Sequence, residues 1–583
     1  MTSWKFDWVD ESKFDLNRES MTEDVSKFVE KWSDDSFKTD SELLKLSLVD
    51  YESIWEKHGY GGEEGYYYWL LNQLDLNDKK VRSKLKSISD FTRDNFNKLN
   101  FFRINLGKLS EKDKNKFLED EELSDYYKFL KDIFDMSKHR LSESEEKIMS
   151  LKQDSGYSMW KKMLSSLISK ETRKVNNEEK TFEQLISDTL SEDKKIRDHA
   201  KDNINDILNK YSEVAENEIN AILNTYEVND KIRGYSRADS ARLLSDSVDE
   251  KFVDILVKTV SDNFEISNKY YDLKSKLMNQ KLGYHEKSAQ IGKLEKEYSF
   301  DESKKIIGKV LNNLDSEFKE VFDRFERDGR LDVYPDIGKR GGAFCVHMIK
   351  KLPTYILLNH TNDLSSLKTL AHEVGHGINN ELTRDKQNEI YFGTATSTAE
   401  VASTFFEDFV FEEILKRCTD EERLVLMIQK LGDEISTIMR QIAAYNFETE
   451  LHSEYRKNKY LSCEEIGLIF KKNMKEYLGD SVDCSWCDNW WIYWSHFRNR
   501  FYVYSYASGL LISKALQRKV RSDKNFIGEI KKFLASGTSK SPKEIFIGMG
   551  IDIYSKEFWE EGLNEINETL KDTISLAKKL GKI

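Results

Sequence analysis

The chain has 583 residues, of which 39% are hydrophobic and 33% are charged, and its net charge is -13. Its length allows a large core, and its 27 glycines and 3 prolines exclude collagen-like and low-complexity classes. The acidic excess argues against nucleic acid or an anionic membrane as a partner. Five cysteines in so long a chain are typical of a reducing compartment. We therefore expect a cytoplasmic protein without a membrane span.

Charged amphipathic segments make up much of the chain, and the few prolines leave little to interrupt a helix. Capping-box patterns at residues 142–145 and 181–184 predict helix starts, because each end of the box satisfies a free N–H of the other end. A short hairpin is predicted around residues 174–180. We predict a mainly α fold, with divisions near residues 115 and 200 that separate the regions 1–115, 116–200 and 201–583.

A further pair of strands is predicted at residues 343–349 and 354–358, where apolar and β-branched residues dominate. The connection between them ends at Pro353, and proline is tolerated at the first position of a strand. Gly341 and Gly342 come directly before the first strand. The sequence thus places a small β-sheet within an otherwise helical region.

The run His372-Glu-Val-Gly-His376 is the most informative motif in the chain. Residues four apart lie on one face of a helix, so both imidazoles can reach a single zinc ion. Glu373 lies beside them, where a carboxylate can take a proton from a zinc-bound water. Asp363 is the predicted N-cap of this helix. An apolar stripe on the opposite side supports the helix: Leu367, Leu370, Ala371, Val374 and Ile378. A chance match on a surface helix is the alternative.

A third metal ligand is predicted downstream, in a second helix that begins near residue 396. Glu400, Thr404 and Glu407 share its polar face. Glu400 would complete a site of two histidines and one glutamate and leave a fourth position for water. Glu407 would not bind the metal itself but would support the residues that do. Two solvent-exposed carboxylates are the alternative. The apolar face of this helix consists of Val401, Phe405, Phe406 and Phe409.

Together with other runs, these residues resemble the zinc oligopeptidases of the thimet-oligopeptidase type, specifically the oligoendopeptidase F branch. The resemblance includes Lys339-Arg-Gly-Gly-Ala-Phe-Cys345 and Phe501-Tyr-Val-Tyr-Ser-Tyr-Ala-Ser-Gly509. It covers most of the chain from about residue 120 onward. The remaining runs are residues 358–359, 369–376, 400–403, 496–497, 533–537 and 550–552, with weaker likeness at 138–142 and 197–200.

The resemblance implies a mainly α, multi-helix, two-lobed shell around a deep channel, with one zinc ion (Zn2+) on its floor and a small β-sheet beside it. Such a channel admits short unstructured peptides and excludes folded proteins. By the same resemblance, His372, His376 and Glu400 bind the zinc ion and Glu373 activates water. Residues 201–583 then form the metallopeptidase domain, and residues 116–200 correspond to the N-terminal part of oligoendopeptidase F.

Hydrolysis of a peptide bond also needs donors for the oxyanion of the tetrahedral intermediate. The resemblance favours His496 and Tyr504 for this role, with Tyr502 or Tyr506 as substrate contacts. The choice among these alternating tyrosines stays open, because the length of this loop varies in the family.

Gly342 and Ala343 are candidate substrate-binding residues. Small side chains let another backbone come close, and a strand that follows them can pair with an extended peptide. Pairing through the backbone would explain a loose sequence preference. An ordinary loop before a hairpin fits the sequence equally well.

The leading hypothesis is a zinc endopeptidase that hydrolyses internal bonds of short peptides. One alternative is a zinc exopeptidase of the carboxypeptidase kind, although no charged motif for holding a chain end is evident. A second alternative is a peptide-binding scaffold without turnover, against which the complete ligand set argues. Co²⁺ or Mn²⁺ could occupy the same ligands. We treat Cys484 and Cys487 as incidental, because a single C-x-x-C pair is a weak signal for metal or redox chemistry.

Overall fold

The computed structural model of the protein describes residues 3–175, 178–292, 296–395 and 398–583. Helices dominate these ranges and strands are short, which confirms the predicted mainly α class. The chain divides into two compact units of three segments each. Unit 1 comprises Met1–Lys138, Lys296–Ile414 and Leu516–Gly550, and unit 2 comprises His139–Glu295, Leu415–Ala515 and Ile551–Ile583. The divisions expected near residues 115 and 200 stay a prediction.

The described part of unit 1 consists of one small sheet and of helices. Their bounds are Phe14–Trp32, Ser41–His58, Gly62–Leu74, Lys79–Phe96, Asn100–Gly107, Glu111–Leu118, Tyr127–Ser137, Phe300–Leu314, Ser316–Arg327, Leu364–Lys386, Ala399–Leu415, Ile527–Leu534 and Pro542–Gly548. A helix at Tyr504–Ser522 begins in unit 2 and ends in unit 1.

Unit 2 is built from helices and two minimal sheets. The helix bounds are Glu143–Gln153, Met159–Ser169, Phe182–Asp188, Lys194–Lys210, Ser212–Arg233, Ser240–Ser245, Glu250–Asp262, Glu265–Leu277, Asp420–Thr437, Met439–Asn458, Cys463–Leu478 and Lys556–Lys579. None of the helices in the described part of either unit has the length and apolarity that crossing a bilayer requires.

The sheets confirm both predicted strand pairs. In unit 2, Thr172–Val175 pairs antiparallel with Glu178–Thr181, and residues 176 and 177 between them lie outside the described ranges. In unit 1, Phe344–Val346 pairs antiparallel with Tyr355–Leu357, so both strands are shorter than expected. Two pairings were not predicted. They are Leu331–Asp332, parallel to Tyr355–Leu357, and Leu282–Gly283, parallel to Val482–Asp483 in unit 2.

The predicted helix caps are present. The Ser142 hydroxyl accepts from the backbone N–H of Glu145, and the Glu145 carboxylate accepts from that of Ser142. Thr181 and its partner three residues on form the same reciprocal box. Asp363 Oδ1 accepts from the backbone N–H of Ser366 at 2.7 Å and so starts the helix Leu364–Lys386.

The helix Leu364–Lys386 packs on the three-stranded sheet of unit 1. Its predicted apolar stripe is buried along its whole length. At Gly377 an added Cβ would lie 2.7 Å from the Phe325 ring and 3.3 Å from Ile356 of the central strand. Glycine at this position therefore lets the helix lie close to the sheet and leaves the histidine face turned away from it.

The Asp363 cap gives a stability prediction. Asp363→Ala removes an acceptor for an otherwise unpaired N–H, so we expect a loss of about 1 kcal/mol in the free energy of unfolding. Asp363→Asn keeps a side-chain oxygen and should lose much less. Urea unfolding of the three proteins compares them. Equal midpoints for the alanine and wild-type proteins would contradict this role.

Candidate metal centre and catalytic residues

The helices Leu364–Lys386 and Ala399–Leu415 meet at Gly375, between the two histidines of the motif. An added Cβ at Gly375 would lie 2.8 Å from the Cα of Ser403 and 3.0 Å from the carbonyl oxygen of Ala402. Only glycine permits this separation of the two backbones. Residues 396 and 397, where the second helix was predicted to begin, lie outside the described ranges, and the helix is described from Ala399.

This contact brings the three predicted ligands together. Nε2 of His372 lies 3.3 Å from Oε2 of Glu400, and Nε2 of His376 lies 3.8 Å from the same oxygen. One ligand atom from each residue falls within 4.8 Å of the others. All three side chains are half-buried, so they line a solvent-accessible surface.

The donor set fits a zinc ion. A tetrahedral ion with bonds of about 2.1 Å holds its ligand atoms about 3.4 Å apart, close to the two measured separations. Two imidazoles and one carboxylate are also a ligand combination found in catalytic zinc sites, which keep one position open. These residues thus offer three ligands to a metal.

Glu407 lies behind the first ligand, as predicted. Its Oε2 is 3.4 Å from Nδ1 of His372, the ring nitrogen not directed at Glu400. Its other oxygen is 3.5 Å from the Lys368 ammonium. A carboxylate in this position fixes the orientation of the imidazole and raises its basicity.

The ionisable groups of the site have strongly shifted pKa values. Burial lowers the pKa of His372, but hydrogen bonds to Glu400 and Glu407 outweigh it and raise that pKa to about 10. The hydrogen bond with His372 lowers the pKa of Glu400 to about 2, despite burial. Burial and the charge of His372 lower the pKa of His376 to about 4. A positive charge on His372 therefore balances two carboxylates.

Glu373 is buried beside the ligands. Burial, with a contribution from the charge of Glu400, raises the pKa of its carboxyl to about 7, although the charge of His372 and the backbone N–H of Cys345 act in the opposite direction. A carboxyl with this pKa can both take and give a proton near neutral pH. Cys345 lies in the strand Phe344–Val346, so Glu373 reaches the sheet as well as the histidine face.

The strand Phe344–Val346 is at the edge of its sheet. Gly342, directly before it, has a φ of +77°, and an added Cβ would meet no atom within 4 Å. Asn359 donates to the carbonyl oxygens of Arg340 and Gly342 and so holds the loop. Ala343 is half-buried. The loop is therefore open on the side where another backbone could approach.

In unit 2, His496 lies among the predicted tyrosines. Its Nε2 is 3.3 Å from the Tyr506 hydroxyl, and either atom can be the donor. The ring of Tyr502 lies 6.2 Å from the His496 ring and 5.2 Å from that of Tyr506, measured between centroids. Burial and the charge of Arg440 lower the pKa of His496, which keeps the imidazole neutral.

Tyr504 occupies a different environment from the one we expected for an oxyanion donor. Its side chain is fully buried and its hydroxyl donates to Asp246 at 2.7 Å. Burial and the charge of Asp246 raise the pKa of Tyr504 well above 10. A hydroxyl already committed to a buried carboxylate is a poor donor to substrate, so the geometry favours Tyr506 as the partner of His496.

A strained turn leads into the tyrosine helix. Arg500 and Phe501 both have positive φ, +47° and +51°, which is rare for residues other than glycine. Glu448 holds this turn by accepting from the backbone N–H of Phe501 at 2.9 Å. Its other oxygen is buried without a hydrogen-bond partner in the described part of the chain. Burial raises the pKa of Glu448 to about 8. Sequence reasoning missed this residue because nothing local to it marks a contact with position 501.

Unit 2 contains two further clusters of possible ligand residues. Cys484 and Cys487 are buried free thiols. Asp198, His285 and Glu286 lie together, but Glu286 accepts two bonds from Arg197 and one from a backbone N–H. The guanidinium therefore already supplies the positive charge that this carboxylate needs.

Comparison with known proteins shows the family of the chain. Residues 188–565 match Peptidase family M3, and residues 105–170 match Oligopeptidase F. An oligoendopeptidase F homolog of Borreliella burgdorferi is 27% identical over 549 residues, which cover 90% of this chain and 89% of the relative. Oligopeptidase PepF of Bacillus subtilis is 26% identical over 473 residues, or 78% of this chain and 70% of the relative.

Solved structures share the fold. A Chlamydophila abortus protein described as a peptidase superposes with a TM-score of 0.87 at 24% identity, over 99% of this chain and 98% of the other. Oligoendopeptidase-F from Enterococcus faecium superposes with a TM-score of 0.70 at 18% identity, over 98% and 100% of the two chains.

These matches define a metallopeptidase. The chain belongs to Peptidase family M3, in its oligoendopeptidase F branch, and is a metalloendopeptidase that acts on peptides.

The contact at Gly375 gives a prediction for metal binding. Gly375→Ala forces the two helices apart, so we expect metal affinity to fall about 10- to 100-fold, as for other residues that support a metal ligand. Competition with a coloured chelator measures the affinity. Gly528 lies in a helix of the same unit with no atom within 4 Å of an added Cβ, so Gly528→Ala is the matched control. Equal affinities for both variants would show that the close contact is not required.

Glu448 gives a prediction for pH. Because its pKa is raised, the folded protein keeps a proton on Glu448 between about pH 4.5 and about pH 8, whereas the unfolded chain has already lost it. The contribution of Glu448 to stability is therefore greatest at low pH and is lost as pH rises through this window. Glu448→Gln lacks this dependence. We expect the stability of wild type relative to Glu448→Gln to fall by a few kcal/mol across the window in urea unfolding. A constant difference would contradict the assignment.

Proposed function

We propose that this metalloendopeptidase is zinc-dependent and hydrolyses internal bonds of short, unstructured peptides. The observation that carries the proposal is the convergence of His372, His376 and Glu400 on one position, with Glu373 beside them. The ligand chemistry favours zinc, and the same ligands also suit Co²⁺ or Mn²⁺. Enclosure of the substrate in a channel is part of the proposal and rests on the family resemblance.

The site residues of unit 1 have distinct chemical roles in this proposal. A zinc ion, when bound, would polarise the scissile carbonyl and make water more acidic. Glu373 takes the proton from the attacking water and passes it to the leaving nitrogen, because its carboxyl lies beside the ligands. Glu407 holds the ring of His372 in its orientation.

The negative charge that develops on the carbonyl oxygen needs hydrogen-bond donors. We assign this role to His496 and Tyr506, because they lie in contact and the imidazole is neutral. Tyr502 is assigned to substrate binding. This assignment replaces Tyr504, whose hydroxyl is bonded to Asp246.

The edge strand Phe344–Val346 is the proposed platform for the peptide backbone. An extended peptide can add to the open edge of a sheet through main-chain hydrogen bonds. The open space at Gly342 and the reach of Glu373 to this strand support the assignment of Gly342 and Ala343. Pairing of this kind involves no side chain of the substrate, so selectivity must come from other surfaces.

We also propose the cytoplasm as the site of action. The five cysteines occur as free thiols, as expected in a reducing compartment. Short peptides are the proposed partners.

Substitution of Glu373 tests the mechanism. Glu373→Gln removes the proton acceptor but no metal ligand, so we expect kcat to fall about 100- to 10,000-fold while metal content is unchanged. The substrate is a short peptide with both ends blocked, and mass spectrometry identifies the products. Glu381→Gln, on the same helix, is the control and should retain activity.

A chelator separates the outcomes. Internal cleavage that the chelator abolishes and added zinc restores would support the proposal. Cleavage only of peptides with a free end would indicate an exopeptidase, and full activity of Glu373→Gln would overturn the assigned role of that residue.

A further inference from the structure

Unit 2 contains a large cavity, lined by both polar and apolar groups, next to the proposed oxyanion donors. Its volume is about 880 Å³, enough for several amino-acid side chains. Its walls come from the helices Glu143–Gln153 and Ser212–Arg233, from Arg242, and from Asn499 and Tyr502. Apart from Tyr502, the residues that line this cavity have no role in the proposed chemistry.

The cavity is positively charged, although the whole chain has a net charge of -13. Its ionised lining groups are Glu146, Lys152, Arg233 and Arg242. Glu146 is matched by Arg233 through two hydrogen bonds of 2.7 and 2.8 Å. Arg242 is paired with Asp246, so Lys152 is the lining charge without a counter-charge in the described ranges, and it gives the lining its positive sign.

Arg242 is held in a fixed orientation. Its Nε donates to Asp246 at 2.8 Å, and its guanidinium carbon lies 5.0 Å from the centre of the Tyr502 ring. Tyr504 donates to the same oxygen of Asp246 and so fixes the carboxylate. Within the described ranges, the two terminal nitrogens of Arg242 make no hydrogen bond. Its side chain is 22% exposed, while Asp246 is 4% exposed.

The neighbouring carboxyl of Glu448 does not neutralise Arg242 near neutral pH. Burial raises the pKa of Glu448 to about 8, so the carboxyl keeps its proton there. Asp246 balances the charge of Arg242 through Nε alone, so within the described ranges the two terminal nitrogens are left as a positioned pair of N–H donors to the cavity. This geometry matches the two oxygens of a carboxylate.

Tyr502 forms a common wall of this cavity and of the His496–Tyr506 pair. A peptide whose scissile carbonyl reached that pair would extend past the Tyr502 ring. Its next residues could then enter the cavity.

We propose that this cavity binds a carboxylate of the peptide substrate and that Arg242 is the residue that recognises it. The inference rests on the proposed function, because it takes His496 and Tyr506 as groups that act on the substrate. The carboxylate can be the C-terminal group of the peptide or the side chain of Asp or Glu. Main-chain pairing at the edge strand gives no such preference, so Arg242 would supply selectivity that the rest of the site lacks.

Two matched pairs of N-terminally blocked peptides test the inference. The two peptides of the first pair differ only at the C-terminus, which is a free acid in one and an amide in the other. The two peptides of the second pair both end in an amide and differ at one position, which is Glu in one and Gln in the other. This position is moved along the peptide in successive pairs. We expect kcat/KM to be about 10- to 100-fold higher for the carboxylate member of at least one pair, as for a charge-assisted hydrogen-bonded contact. The pair that responds identifies the source of the carboxylate.

Variants assign the preference to Arg242. Arg242→Gln can still donate to Asp246 but carries no charge, so the ratio of kcat/KM between the carboxylate and neutral members of the responding pair should fall to about 1. Arg242→Lys should restore part of the preference. Arg237→Gln is the matched control, because Arg237 pairs with Asp239 and Asp254 outside the cavity wall. It should behave as wild type.

Binding is measured separately from cleavage, by fluorescence anisotropy of the same peptides on Glu373→Gln protein. Equal kcat/KM and equal affinity within both pairs would overturn the inference, as would a preference that survives in Arg242→Gln. If wild type cleaves no peptide but the anisotropy preference is present and depends on Arg242, the proposed function fails and the inference stands. If no peptide is bound, the inference fails as well.

Discussion

The close approach of two helices at Gly375 is the constraint on which the metal centre depends. A glycine inside a helix costs stability relative to alanine, and here the cost is offset by a backbone separation that no side chain would permit. Because of that separation, Glu400 lies within 3.8 Å of both imidazoles although it belongs to another helix. Gly377, half a turn further on, permits a close contact on the opposite face and so fixes the helix against the sheet. The two glycines thus fix the helix that carries the histidines between the helix of Glu400 and the sheet.

The charges of the site follow from this geometry. Glu400 and Glu407 flank His372, whose pKa rises to about 10 so that its positive charge balances them. A divalent cation at the same position would take over this balance and displace the proton from the imidazole. The carboxyl of Glu373, by contrast, is held at a pKa of about 7 because its burial outweighs the effect of the positive charge on His372. Two carboxylates only a short distance apart thus differ in pKa by about five units, one suited to bind a cation and the other to move a proton.

The sequence was informative where a periodic pattern or a local motif carries the structure. The helix caps, the hairpin strands and the burial of the stripe through Leu367 all follow from short-range rules. The pairing of Leu331–Asp332 was not predictable, because two residues give no alternating pattern. The tyrosines show a similar limit. Their alternation does not indicate which residue each hydroxyl contacts. The fold shows that Tyr504 reaches Asp246, more than 250 residues away, whereas Tyr506 reaches His496. Gly375 itself carried a signal, since a glycine inside a strongly helical motif indicates close packing.

The interleaving of the two units has a consequence for synthesis of the protein. Each unit draws on three separate stretches of chain, and the last of these begin at Leu516 and at Ile551. A ribosome that has made the first 500 residues has therefore completed neither unit, even though the metal ligands and His496 have all been translated. Bacterial and eukaryotic chains grow at about 5–20 residues per second, so partly formed units would stay exposed for tens of seconds. Unit 2 is complete only after the helix Lys556–Lys579 has been made. Nascent chains of this protein should therefore depend on chaperones, and loss of the final helix should be more damaging than its distance in sequence from the metal centre suggests.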